Sequence, residues 1–347
     1  MTTSAVGPLT TLTGWRAFVH RTTSPPALPS PERWSCLDAD QRAADIQERI
    51  GYHAELLALQ TPDLHKIVST GRGLLLLNHR QHGARRGLLV SGDPTTGKST
   101  AITQLGRALE LAHRKRLGRD DTVPVVYLTM PPQATPKSLS IEILKFLGAP
   151  YLTRASQIEL TRQACHLLAD LGTQLILVDE IHNLNHHTRV GADASDHLKY
   201  LAENVAATFV YAGIDAARSG LFDGVRGRQL AGRFVPILTA PFAYSTAADR
   251  DRWAQLVDGF DTMLRLRHQH TGAVTRLAAH LYGKTAGSIS SLSMMIRSAA
   301  ITAILDGTER ITKTTLDAVP LDHAAATAGV VVRKGRATRT AVNNGAA

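Results

Sequence analysis

The sequence predicts an α/β fold in which a parallel sheet is flanked by helices and followed by a small C-terminal helical domain. Three observations predict it. An apolar strand runs directly into a glycine-rich segment between residues 87 and 100. A second apolar run, Gln174 to Val178, ends in two carboxylates, as buried parallel strands can. Helical and strand-like segments alternate up to about residue 240, after which strand patterns cease.

The glycine-rich segment contains the phosphate-binding pattern G-x-x-x-x-G-K-S/T. Gly92 and Gly97 allow a loop whose N–H groups point at nucleotide phosphates, and the following helix directs its positive end at them. The pattern predicts that Lys98 reaches the β- and γ-phosphates and that Ser99 ligates Mg²⁺. A chance match in a glycine-rich turn is the alternative, which the strand before and the helix after disfavour. The predicted nucleotide-binding residues are Gly92, Asp93, Pro94, Thr95, Thr96, Gly97, Lys98, Ser99 and Thr100.

The two carboxylates are Asp179 and Glu180, about eighty residues after the phosphate loop. We expect Asp179 to hold the Mg²⁺ ligated by Ser99, and Glu180 to orient and deprotonate the water that attacks the γ-phosphate. An acidic pair at a strand end can also cap a helix, but its place after a phosphate loop favours the first interpretation. The pair favours hydrolysis over phosphate transfer to a small molecule. ATP and Mg²⁺ are therefore the predicted cofactors of an ATPase.

The remaining elements follow from hydrophobic periodicity and from capping and breaking residues. Strands are predicted near 124–130, 207–212 and 234–239, in addition to the two above. Helices are predicted from Asp38 or Asp40 to about 59, and near 62–78, 98–117, 137–147, 157–171, 252–267, 273–281 and 289–305. These elements predict a flexible Pro/Ser/Thr-rich arm at 1–36, a nucleotide-binding domain with N-terminal helices at 37–240, a helical lid domain at 241–323 and a basic disordered tail at 324–347.

Composition limits the possible partners and compartments. The chain has 39 Lys and Arg against 29 Asp and Glu, a net charge of +10 that favours a polyanionic partner. Its two cysteines, Cys36 and Cys165, indicate neither a disulfide framework nor a zinc motif. No apolar stretch approaches a membrane span and no signal-peptide core is evident, so a soluble, cytoplasmic protein is expected. The histidines at 182, 186 and 187 are interpreted as polar loop residues rather than a metal cluster.

Four further segments of the chain have a characteristic sequence. They are Val125-Val-Tyr-Leu-Thr-Met-Pro-Pro132, Leu177-Val-Asp-Glu-Ile-His-Asn-Leu184, Phe209-Val-Tyr-Ala-Gly213 and Arg228-Gln-Leu-Ala-Gly-Arg-Phe234. Through these segments the chain resembles the AAA+ ATPases of transposition, the TniB/TnsC-like regulators, over roughly residues 45–320. The resemblance implies ATP-dependent oligomerisation on duplex DNA, as a ring or helical filament, with contacts to a transposase and sometimes to a target-selection protein. Spacing and composition do not show this independently.

The resemblance also implies roles for single residues. Arg233 matches the arginine finger, a cation placed against the γ-phosphate of a neighbouring subunit, with Arg228 as the alternative. The sequence departs from the group's pattern at two places: Ile214 stands where a polar hydroxyl residue is common, and Ser290 where many relatives carry a sensing arginine. Hydrolysis is therefore expected to be slow or partner-dependent. DNA contacts are implied for Thr135, Lys137 and Ser138.

The function predicted from the sequence is an ATP-dependent, DNA-binding regulator of transposition that oligomerises on duplex DNA and links it to a transposase. Two alternatives stay open at this point. One is an ATPase of the helicase-loader or replication-initiator type. The other is a nucleotide-switch signalling or defence protein that acts without DNA. A small-molecule kinase is disfavoured by Glu180 and by the basic excess.

Overall fold

The computed structural model describes residues 7–55, 58–81, 83–118, 121–183, 189–218, 231–322 and 326, with side chains of the helix beginning at 189 described from residue 196. It divides into two compact units. The first comprises Met1–Arg21 with Pro62–Ala240, and the second comprises Thr22–Thr61 with Pro241–Ala347. Within the described ranges, no helix combines the length and the apolar character needed to cross a lipid bilayer.

The first unit is built on a five-stranded sheet. The strands are β1 Gly87–Gly92, β2 Val125–Thr129, β3 Leu175–Asp179, β4 Thr208–Gly213 and β5 Phe234–Thr239. Their order is β2-β3-β4-β1-β5, and every pairing is parallel. The predicted parallel sheet is therefore confirmed. Four of its strands are almost wholly buried, which explains their continuous apolar sequences.

The described helices of this unit are α1 Leu12–His20, α4 Pro62–Asn78, α5 Lys98–Leu117, α6 Pro136–Phe146, α7 Gln157–Asp170 and α8 Arg189–Asn204. Two of them, between β2 and β3, begin at capped positions. Thr135 and Ser138 form a reciprocal capping box at the start of α6, and Ser156 with Glu159 does the same for α7. Gly118 adopts φ 61° and ends α5.

Helix α1 lies within the segment for which the sequence predicted a flexible arm. The Trp15 side chain is fully buried. Its indole N–H donates to Glu110 Oε2 at 2.5 Å, and its ring stacks on Tyr127 at 6.1 Å between centroids. The Arg107 guanidinium also donates to the carbonyl oxygens of Val19 and Arg21. The expectation differs from the structure because a nine-residue helix is too short to be stable alone, and contacts with α5 and β2 order it.

The second unit is helical. Its core contains Trp253, Phe260 and Met295. Ile46 and Ile50 of the Ala39–Ala54 helix pack against this core, so the structure groups this helix with the C-terminal unit, whereas the sequence prediction placed it in the nucleotide-binding domain. The described helices of the unit are α2 Pro31–Cys36, α3 Ala39–Ala54, α9 Ala247–Met263, α10 Ala278–Thr285, α11 Ile289–Leu305 and α12 Lys313–Ala318.

A buried ion cluster joins the two chain segments of this second unit. Arg49 and Glu309 are both fully buried, and their two parallel hydrogen bonds measure 2.7 and 2.9 Å. Arg267 bonds the same carboxylate at 2.7 Å and stacks over the Trp34 ring at 3.5 Å, while Asp45 bonds Arg49 at 2.7 Å. Burial opposes ionisation of Glu309, but the hydrogen bonds and charges of the two arginines outweigh it and lower the pKa of this carboxyl.

Candidate nucleotide-binding site

The phosphate-loop sequence forms the connection between β1 and α5. A Cβ atom on Gly92 would lie 2.0 Å from the carbonyl oxygen of Thr239, so only glycine fits against the end of β5. Gly97 adopts φ 85° and ψ 15° as the N-cap of α5, a left-handed conformation that favours glycine. Both glycines therefore stand where the backbone geometry requires them. The loop ends at the positive end of a twenty-residue helix.

Lys98 is buried at the first position of α5. Its ammonium group donates to the carbonyl oxygens of Gly92 and Asp93 at 3.0 and 2.5 Å. Burial lowers the pKa of Lys98, and it outweighs the opposite effect of nearby carboxylates, which are those of Asp179, Glu180, Asp93 and Asp215. The ammonium thus lies within the loop, in the field of the acidic pair. Ser99 follows it with an exposed side chain.

Thr239 ties the loop to β5, and sequence reasoning missed it. It pairs with Gly92 in the sheet register, and its hydroxyl lies 2.8 Å from the Thr96 hydroxyl. The Thr96 hydroxyl also bonds the Asp93 carbonyl oxygen at 2.9 Å. The signal in the sequence was a single threonine at the end of a predicted strand, which is too weak to single out without the strand order.

Asp179 is buried at the end of β3, and both of its carboxylate oxygens accept hydrogen bonds. The Tyr127 hydroxyl donates to Oδ2 at 2.9 Å and the Glu180 N–H donates to Oδ1 at 2.9 Å. Burial and the charge of Asp179 raise the pKa of Tyr127, so its hydroxyl stays protonated as a donor. Sequence reasoning missed Tyr127. The signal for it was a side chain with a hydroxyl group within the largely apolar sequence of β2. The Asp179 carboxylate and the Ser99 hydroxyl are oxygen donors of the kind that Mg²⁺ binds, so the donor set fits this ion.

Glu180 differs from its neighbour in exposure and backbone. Its side chain is 42% exposed, and its φ of 55° lies in the left-handed region, which few residues with a Cβ adopt. His182 Nε2 lies 3.2 Å from Glu180 Oε2, and the His182 Nδ1 atom accepts the Ile214 N–H at 3.3 Å. One carboxylate is therefore buried with one hydrogen bond at each oxygen, and the next one is accessible. This division suits a metal ligand beside a general base.

Arg233 lies at the opposite edge of the sheet from the phosphate loop. It immediately precedes Phe234, which pairs with Gly87, and the Gly87 N–H donates to its carbonyl oxygen at 2.9 Å. Its guanidinium lies 3.3 Å from Glu203 Oε1. The six residues of β1 separate this edge from the loop by about 17 Å at the usual rise per residue. The distance exceeds the reach of an arginine side chain.

The remaining predicted residues have these positions. Thr135 and Ser138 use their hydroxyls in the capping box of α6, and the half-buried Lys137 donates to the Thr153 carbonyl oxygen at 2.8 Å. Ser290 is exposed in the second unit. The positions that lie outside the described residues are Arg228, His186 and His187.

The chain matches the family model described as Bacterial TniB protein over residues 59–244, more than half of its length. It belongs to this family. The predicted resemblance to TniB-like AAA+ ATPases is thereby confirmed. The search of curated proteins found no match to this TniB-family chain.

Solved structures similar to this TniB-family chain include three origin-recognition proteins. The Aeropyrum pernix ORC1 protein, in complex with DNA, has a TM-score of 0.55 at 18% identity over 76% of this chain. The Aeropyrum pernix ORC2 protein, in ADPNP-ADP complexes, has 0.59 at 14% over 75% of this chain and 67% of its own. Drosophila ORC, bound to DNA, has 0.50 at 16% over 87% of this chain and 70% of its own. The chain spans 65% of the length of ORC1. At these identities the similarity establishes the fold, that of AAA+ ATPases.

Proposed function

We propose that this protein is an ATP-dependent, DNA-binding regulator of transposition that assembles on duplex DNA and links it to a transposase. The observation that carries the proposal is that the residues proposed for catalysis lie in two groups at opposite ends of the strands. The phosphate loop and acidic pair lie at the carboxyl edge of the sheet, and Arg233 lies at the amino edge. A site that needs both is complete only where two copies of the chain meet.

Within one subunit, the proposed roles follow from the contacts described. The loop N–H groups and the N-terminus of α5 bind the phosphates, and Lys98 exchanges its bonds to loop carbonyls for bonds to phosphate oxygens. Glu180, accessible to solvent, accepts a proton from the attacking water. Ser99 and Asp179 would hold Mg²⁺, which, when bound, supplies positive charge to the phosphate oxygens. Tyr127 fixes the Asp179 carboxylate through its hydroxyl.

The proposed nucleic-acid partner rests on charge, family and relatives together. The chain carries a net charge of +10, and two of the similar structures are described with DNA. Single weak contacts to phosphates bind poorly, but several subunits in register multiply them. ATP-dependent assembly is therefore the step that we propose creates the DNA-binding surface. Lys137, half-buried in the first turn of α6, is a candidate for one phosphate contact per subunit.

The experiment is duplex DNA binding measured as a function of salt, with a non-hydrolysable ATP analogue and with ADP. We expect tight binding only with the analogue, with log affinity falling against log salt by about 0.9 for each neutralised phosphate. Lys137→Ala should flatten this slope and spare ATP binding. The matched control is Lys145→Ala on the same helix, where the ammonium is paired with Glu142 at 2.8 Å and no change is expected. Equal slopes with both nucleotides would contradict assembly on DNA and favour the signalling alternative.

The second candidate is an ATPase of the replication-initiator or helicase-loader type, which the similarity to the ORC proteins favours. The partner discriminates between the two functions. Pull-down of the ATP-bound, DNA-bound protein against a cognate transposase and against a replicative helicase separates them. Stimulation of strand transfer by the transposase is the expected result, and binding to the helicase alone would favour the second candidate.

A further inference from the structure

The imidazole of His182 connects the accessible carboxylate of the site to the end of β4. Its Nδ1 atom accepts the Ile214 N–H at 3.3 Å, so in the neutral ring the proton lies on Nε2. Nε2, which carries that proton, lies 3.2 Å from Glu180 Oε2. The backbone bond therefore fixes the tautomer, and this tautomer carries its proton on the nitrogen that is close to the carboxylate.

The turn that carries His182 is anchored on two sides. Ile181 is fully buried, and a Cβ atom on Gly213 would lie 2.8 Å from its side chain, so the glycine lets the end of β4 approach the turn. Asn183 donates its side-chain amide to the Met130 carbonyl oxygen at 2.9 Å, next to the end of β2. The ring is thus held between two strand ends and is not an exposed loop side chain.

Ile214 explains why such a connection matters in this chain. Its side chain has no polar group, so the end of β4 offers the site only a backbone N–H at this position. Glu180 has a long side chain that is 42% exposed, and a free carboxylate of that kind samples several rotamers. A donor in a fixed position restricts those rotamers without burying the base.

We propose that His182 is a positioning residue that holds the Glu180 carboxylate and ties it to the end of β4. The inference rests on the proposed function, in which Glu180 activates water. His182 supplies the polar contact that the Ile214 side chain cannot. Its Nδ1 atom accepts the Ile214 N–H, and its Nε2 atom then carries the proton on the side of the carboxylate. It does not contact the nucleotide in this role, so its contribution belongs to turnover and not to ATP affinity.

Three substitutions at position 182 separate the two bonds. His182→Ala removes both. His182→Gln places an amide N–H near the position of Nε2 and keeps a donor for Glu180. His182→Asn keeps an acceptor for the Ile214 N–H but is too short to reach the carboxylate. Single-turnover ATP hydrolysis in the presence of duplex DNA gives the rate, and a fluorescent ATP analogue gives the nucleotide affinity.

We expect His182→Ala and His182→Asn to lower the turnover rate roughly tenfold, part of the 10²- to 10⁴-fold that a general base supplies, with nucleotide affinity and melting temperature unchanged. His182→Gln should recover most of the rate. The matched control is His166→Ala, which removes an exposed histidine of α7 and should leave the rate unchanged.

The outcomes are distinguishable. An unchanged rate in His182→Ala, or equal recovery by Asn and Gln, would overturn the inference. So would parallel losses of rate, affinity and melting temperature in all three variants, which indicate a structural role. Glu180→Gln serves as the reference: if it hydrolyses ATP normally, the proposed base is wrong, whereas an inactive Glu180→Gln beside an active His182→Ala refutes the positioning role alone.

Discussion

Arg233 gives the most direct test of the proposed assembly. Its position predicts that two inactive variants regain hydrolysis when they are mixed, and it predicts how much activity the mixture regains. Its backbone lies beside Gly87, at the opposite end of the six-residue strand from Gly92. The separation of about 17 Å prevents Arg233 from reaching the nucleotide of its own chain. We therefore predict that Arg233→Ala binds ATP normally as a monomer but loses assembly-stimulated hydrolysis, by up to about 10³-fold.

Mixing two inactive variants should restore activity by a calculable amount. Lys98→Ala lacks a working phosphate loop but keeps its arginine, and Arg233→Ala has the reverse defect. In a random equal mixture, half of the interfaces join unlike subunits, and half of those unite an intact loop with an intact arginine. About a quarter of the sites should then be functional by this counting, so the mixture should reach about a quarter of the wild-type rate at saturating ATP and DNA, where site occupancy sets the rate.

The assay is phosphate release with duplex DNA, with co-assembly verified by light scattering. The control is the double variant Lys98→Ala/Arg233→Ala, which forms no complete site when mixed with either single variant. Equal mixtures containing the double variant should therefore stay inactive. A co-assembled mixture of the two single variants that recovers no activity would refute the action of Arg233 across a subunit boundary, as would substantial hydrolysis by Arg233→Ala alone.

Three further predictions concern stability and loop geometry. Glu309→Ala removes the buried carboxylate shared by Arg49 and Arg267 and leaves Arg49 paired with Asp45 alone among the described residues. It should lower the free energy of unfolding by about 3–5 kcal/mol, measured by urea titration; a loss below about 1 kcal/mol would contradict the burial of the pair. Burial and the charge of Arg49 lower the pKa of His53 to about 4, below its usual value of 6.5. As the pH falls, the unfolded chain therefore takes up this proton before the folded chain does. The free energy of unfolding should fall by about 3 kcal/mol between about pH 6.5 and pH 4. His53→Asn should weaken this acid dependence in urea titrations at pH 7 and pH 4.5, and an unchanged dependence would count against it. Gly92→Ala should abolish ATP binding because its Cβ would collide with the Thr239 carbonyl, and normal binding in a fluorescence titration would show that the loop can move away.

The sequence predicts those parts of the site whose functional residues are consecutive in the chain. The loop from Gly92 to Ser99 and the pair Asp179 and Glu180 each combine a strand pattern with residue types that the chemistry requires. Their neighbours were not predictable in the same way. Tyr127 and Thr239 lie 52 residues before Asp179 and 143 residues after Thr96 in sequence, and only the strand order brings them to the site.

The N-terminal segments were harder still, because what holds them in place is distant in sequence. Trp15 is ordered by Glu110, 95 residues away, and Arg49 by Glu309, 260 residues away. A nine-residue helix is too short to be stable alone, and the packing partners of the Ala39–Ala54 helix are set by tertiary contacts that its own sequence does not reveal. The Pro/Ser/Thr-rich composition that predicted a flexible arm is typical of the segments between those contacts, and it gives no sign of the contacts themselves.

The strand order also explains why the proposed catalytic set is divided. With β1 between β4 and β5, the carboxyl ends of β3, β4 and β5 converge on the phosphate loop and bring Glu180, Ile214 and Thr239 to one edge. All five strands are parallel, so every residue that precedes a strand lies at the other edge, and Arg233 is such a residue. In a parallel sheet no such residue can join its own site without a chain reversal. If Arg233 acts on phosphate, the topology therefore requires a second subunit, and catalysis depends on assembly.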